Sequence, residues 1–122
     1  MQPDRTQTVY KIADADAWAE AERVGSFAGA PVDLADGFIH FSTAAQLRAT
    51  AAKHFAGQPD LVLAAISGAA LDAMGDAYRY EPSRGGALFP HLYAQLPVDA
   101  VVWTEPLEWD EAAGEHRFPR GL

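Results

Sequence analysis

The chain has 122 residues, of which 49% are hydrophobic and 21% charged, enough for one soluble globular domain and too few for a second core. It has no cysteine, which excludes a disulfide framework, a thiol nucleophile and a thiolate metal site, and fits a reducing, cytoplasmic compartment. Its 9 basic residues are scattered against 17 acidic ones, a net charge of −8, so nucleic acid and anionic membranes are poor partners, although a local pocket can still accept a small anion.

Residues 1–8 are polar, with no apolar stretch of signal-peptide length, and no later run approaches a membrane span. Thr8 to Ala13 alternates as a first strand. Asp14 is a helix N-cap, Ala17, Ala21 and Val24 share a face with Trp18 beside it, and Gly25 closes the helix. Ser26 to Gly37, with Gly29, Pro31 and the Asp36-Gly37 turn, reads as a loop. Phe38 to Phe41 is a short apolar strand interrupted by His40. Ser42-Thr43 then opens a second helix, with Thr43 and Gln46 in capping-box spacing and Leu47, Ala51, His54 and Phe55 following at helical intervals.

Leu61 to Ile66 has no polar face and is predicted to be a strand covered on both sides. A short helix is expected over Ala69 to Met74 and a strand over Tyr78 to Glu81, ended by Pro82-Ser83-Arg84-Gly85-Gly86. Pro90 confines Leu88 to Tyr93 to an edge strand or an irregular segment. Ala100 to Thr104 is a strand, and Leu107 to Trp109 with His116 to Phe118 forms a closing hairpin. Two main helices in the N-terminal half and short strands afterwards favour a single α+β domain over a doubly wound sheet. Its compact core is expected over about residues 8–109, with a hairpin or tail over 110–122.

Two histidines stand out. His40 points opposite to Ile39 and Phe41 and lies just before a helix start, where backbone N–H groups favour an anionic or hydroxyl-rich ligand. A core-edge histidine beside an ordinary cap fits the same residues. His91 lies among Phe89, Pro90 and Tyr93, an aromatic setting that suits a flat ligand such as a nucleobase, or equally a packed edge. Arg84-Gly85-Gly86 has the composition of a phosphate cradle and also of a plain turn. Of Glu81, Glu105 and Glu108, only Glu81 adjoins that turn. His40, His54, His91 and Asp36 are conceivable metal ligands but lack HxxxH or HxH spacing, so no metal is expected. A Ser42-His91 hydrolase lacks the G-x-S-x-G turn.

Gly29 to Thr43 (GAPVDLADGFIHFST) and Glu81 to Tyr93 (EPSRGGALFPHLY), with Val9-Tyr10-Lys11-Ile12 before them and Val101-Val102-Trp103 after, resemble segments of a bacterial family, domain of unknown function 952. The resemblance implies an ADP-ribosyltransferase-like fold, a split, mixed or antiparallel β-structure that holds NAD in a cleft. By that likeness His40, with Ser42 or Thr43, contacts a ribose, and His91 takes the role of a second site histidine; the toxin-type catalytic glutamate has no clear counterpart. The expected function is binding of NAD or an ADP-ribose-type nucleotide, with ADP-ribosyl or ribose-phosphate transfer. His40 and His91 would be catalytic, and Lys11, Ser42, Thr43, Glu81, Arg84, Gly85, Gly86 and Tyr93 would bind the ligand. Of these, Tyr93 would orient or stack on the departing ring, and Arg84 with the two glycines would neutralise the diphosphate. No resident cofactor is expected, NAD serving as substrate. The alternative is a non-enzymatic small-molecule binding or interaction module.

Overall fold

The computed structural model describes residues 2–122. In chain order its elements are β1 (Val9–Asp14), α1 (Ala15–Val24), β2 (Ser26–Phe27), α2 (Pro31–Asp36), β3 (Ile39–His40), β4 (Ser42–Thr43), α3 (Ala44–His54), β5 (Leu61–Ile66), α4 (Gly68–Asp72), β6 (Tyr78–Pro82), β7 (Leu88–Leu92), β8 (Leu96–Pro97), β9 (Val101–Leu107), β10 (Trp109–Asp110) and β11 (Glu115–His116).

The main sheet is antiparallel with order β4-β1-β5-β9. β1 and β5 are its inner strands, which explains why Leu61 to Ile66 carries no polar face. Alternate residues feed a core on each side. Val9, Ala13, Ala64 and Ile66 pack with Trp18 and Ala21 of α1. Tyr10, Ile12, Leu61, Leu63 and Ala65 pack with Leu47 and Ala51 of α3. The caps of α1 follow its sequence: the Asp14 carboxylate accepts from Ala17 N at 3.1 Å, and Gly25 is left-handed at φ 99°. At α3, Gln46 Oε1 accepts from Thr43 N at 3.0 Å, one arm of the expected capping box.

A second antiparallel sheet has order β3-β7-β6. β3 and β4 are separated by Phe41 alone, so one short segment crosses from this sheet to the edge of the main one. The β-structure therefore splits beside His40. The chain is a single α+β domain, with α1 and α3 the two long helices of its first half. The closing hairpin forms with Trp109 opposite His116.

Two expectations are corrected. Ser26 to Gly37 is not a loop: Ser26-Phe27 pairs with β8, and Pro31–Asp36 is helical. Pro31 opens this helix, the Asp33 carboxylate accepts from Ala30 N at 2.8 Å, and left-handed Gly37 (φ 86°) closes it. Pro90 lies in the central strand of the second sheet, not at an edge. Its carbonyl accepts from Phe41 N at 3.0 Å, so its missing N–H faces the side from which β3 departs, where no ladder partner requires it.

The start of α4 is sterically closed. A Cβ on Gly68 would lie 1.9 Å from the Gln7 carbonyl oxygen. Alanine is ordinarily the better helix former by about 1 kcal/mol, yet Gly68→Ala is expected to lower the urea midpoint. An unchanged or raised midpoint would contradict this packing.

Candidate functional site

His40 and His91 are direct cross-strand partners in the β3–β7 ladder. Opposed residues of an antiparallel pair share a face, and the two rings meet edge to face with centroids 5.4 Å apart. Phe38, two residues before His40, stacks on His91 at 4.2 Å.

Each imidazole is oriented by its own carboxylate. His40 Nδ1 lies 2.6 Å from Asp33 Oδ1, and His91 Nδ1 lies 2.9 Å from Glu81 Oε1. Both carboxylates titrate below their ordinary range, so both accept and both Nδ1 atoms donate. Burial pushes Asp33 up, but the hydrogen bonds from His40, Lys11 and Ala30 N and the Lys11 charge outweigh it and hold the group at about 2. Glu81 is lowered chiefly by the Tyr93 hydroxyl, which donates to Oε1 at 2.7 Å, and then by His91.

Asp33 is 1% exposed and is met from several sides. Lys11 Nζ approaches its two oxygens at 2.9 and 3.1 Å, and His40 N donates to it at 3.1 Å. Lys11 also donates to the His40 carbonyl at 2.9 Å. Burial lowers the Lys11 pKa, and the Asp33 charge opposes that shift. This is a buried, hydrogen-bonded charge cluster tying β1, α2 and β3 together.

The outer nitrogen of His40 has a second acidic neighbour. His40 Nε2 is 2.9 Å from Oδ2 of the half-exposed Asp36. A doubly protonated His40 donates to both carboxylates; a neutral ring keeps its bond to Asp33 and offers Nε2 as an acceptor. His91 is 4% exposed, and burial lowers its pKa, with the Glu81 hydrogen bond opposing and the His40 charge reinforcing. Its ring is therefore a neutral base near pH 7.

Both histidines line one cavity of about 480 Å³ at the split between the sheets. Of the sequence candidates, Lys11, Ser42 and Arg84 line it with them. Thr43, Glu81, Gly85, Gly86 and Tyr93 do not. Glu81 stands behind His91, and Tyr93 shares that rear position, its ring 5.1 Å from Phe38. Gly86 N–H is taken by the Ser83 carbonyl at 2.9 Å, closing the glycine turn on itself. The Ser42 hydroxyl donates to Thr50 Oγ1 at 2.9 Å and makes no bond to His91. Among the described residues no three His, Asp or Glu side chains form a group able to hold a metal ion, and no helix is long and apolar enough to cross a membrane.

The residue missed in the sequence is Asp33. Its signal was the Pro31-to-Gly37 punctuation, which marks a helix with Asp33 at its third position. Tyr10, Thr50 and Phe55 also line the cavity; they read from sequence only as strand or helix positions.

The sequence model of the family described as "Protein of unknown function (DUF952)" matches residues 12–104. The crystal structure of protein CC0527 from Caulobacter crescentus is similar at 44% identity and a TM-score of 0.83, covering 91% of this chain and 94% of that one. The solution NMR structure of CC0527 is similar at 45% identity and a TM-score of 0.77, covering 88% and 90%. No curated protein matches the chain.

Asp33 generates a pH prediction. Its folded pKa of about 2 lies below the ordinary 3.8, so its stabilisation is complete above about pH 4 and is lost as pH falls through 2, amounting to about 2 kcal/mol. Asp33→Asn leaves Lys11 buried without a counter-charge and is expected to cost about 3–5 kcal/mol at pH 7 in urea denaturation. It should also flatten the acid limb below pH 4. A cost below 1 kcal/mol, or an unchanged acid limb, would contradict the network.

Proposed function

The chain belongs to the DUF952 family, and we propose that its cleft at His40 and His91 binds NAD or another ADP-ribose-type nucleotide, with ADP-ribosyl or ribose-phosphate transfer as its chemistry. The observation that carries this reading is the pair of carboxylate-oriented imidazoles, 5.4 Å apart, lining a single cavity. About 480 Å³ is a typical small-molecule site and accommodates one half of a dinucleotide. Tyr10, Phe41, Phe55 and Phe89 supply apolar faces for a planar ring. The crossing of one segment between two antiparallel sheets supports an ADP-ribosyltransferase-like arrangement. A chain without cysteine fits action in the cytoplasm.

On this reading His40 Nε2 hydrogen-bonds a ribose hydroxyl once Asp36 yields its place. Asp33 and Lys11 hold the ring for that contact, Asp33 from outside the cavity lining. His91, kept neutral by burial, orients the leaving ring. In the transfer step the bond from the ribose anomeric carbon to the nicotinamide nitrogen breaks, and its electron pair leaves with neutral nicotinamide. The sugar then has oxocarbenium character until water or another acceptor attacks. The cleft contributes mainly position and electrostatics.

Calorimetric titration with NAD, ADP-ribose and nicotinamide tests binding, and chromatographic detection of nicotinamide tests transfer. Saturable binding of NAD and ADP-ribose is expected, with slow nicotinamide release that falls by about a hundredfold in His40→Ala. Binding without release would leave a ligand-binding module in place of a transferase. No binding of any of the three would refute the nucleotide reading.

A further inference from the structure

Thr50 and His54 lie one turn apart on α3, and both line the cavity that holds His40 and His91. Ser83 and Arg84, from the turn between β6 and β7, line it as well. The guanidinium of Arg84 is pre-positioned: Nη2 donates to Thr50 Oγ1 at 3.3 Å, and Cζ lies 5.0 Å from the centroid of the Phe89 ring. Among the described residues Arg84 forms no ion pair, unlike Arg5, Arg23 and Arg117. Burial lowers the pKa of His54, and the charges of Arg84, Lys53 and His40 push it the same way, with no carboxylate opposing them. The cavity's exposed acid, Asp36, is engaged by His40 instead. In a protein of net charge −8, this cavity therefore holds an arginine with no carboxylate partner among the described residues.

We infer that Arg84, His54, Thr50 and Ser83 form a phosphoryl-binding subsite. The guanidinium fork takes two phosphate oxygens. The Thr50 and Ser83 hydroxyls and the His54 imidazole line the same cavity and supply further hydrogen-bonding groups for the remaining oxygens of a phosphate. Gly85 and Gly86, in the same turn as Arg84, do not line the cavity, and the Gly86 N–H is already taken by the Ser83 carbonyl. Identifying the bound group as the phosphate of a nucleotide whose ribose lies at His40 rests on the function proposed above. The subsite itself does not.

The test uses the full chain, with inorganic phosphate titrated against chloride at matched ionic strength and followed by imidazole and guanidinium NMR. Saturable shifts at His54 and Arg84 are expected, and Arg84→Gln should weaken phosphate by about tenfold. The exposed His54→Gln serves as a second variant, expected to weaken it in the same direction. Adenosine and AMP are then compared: AMP should bind about tenfold more tightly, and Arg84→Gln should erase the difference. No phosphate-dependent shift at His54 or Arg84, or full phosphate affinity in both variants, would overturn the subsite. Phosphate binding with no binding of AMP, adenosine or NAD would uphold the subsite and refute the nucleotide reading.

Discussion

An ionised carboxylate that is 1% exposed survives only if its surroundings replace the water it has lost, and Asp33 is the group on which this site depends. Lys11 comes from β1, the ring and N–H of His40 from β3, and Ala30 N from the start of α2 itself. Three elements are thereby fixed to one point. The cluster docks α2, whose other large side chains, Val32 and Leu34, are exposed and contribute little burial of their own. It also sets the orientation of His40, so stability and a candidate function share one set of contacts.

The second constraint is register. Because β3 and β7 pair with His40 opposite His91, two imidazoles distant in sequence become neighbours on one face. Because β3 ends at His40 and the chain passes through Phe41 into the main sheet, the ladder opens there. The opening is where the cavity lies. A longer β3 would continue the ladder past His40 and close the space that the histidines share. The short strand and the proline opposite the crossing belong to the same solution.

Much of this was legible in the sequence, for identifiable reasons. Leu61–Ile66 declares itself by a continuous apolar run, and α1 by its Asp14 and Gly25 caps. His40 and His91 stand out because each interrupts apolar surroundings. The helix Pro31–Asp36 was not legible from periodicity, since its buried residue is charged and its apolar ones are exposed. Pro90 misled because the rule against proline in central strands assumes a partner along the whole strand, and here the partner leaves. The division of labour behind His91 was also hidden. Glu81 and Tyr93 lie in the segment expected to meet a ligand, yet they serve the rear of the ring, and nothing in a linear pattern separates the front of a histidine from its back.

Each imidazole has its inner nitrogen held by a carboxylate, and both rings line one cavity. Long-range nitrogen–proton correlation spectra of His40 and His91, recorded near pH 7 before and after addition of ADP-ribose, measure this directly. Nδ1–H is expected on both rings, with both Nε2 resonances shifting together on a single saturation curve. A neutral Nε2–H tautomer on either ring, or a response confined to one of them, would contradict it.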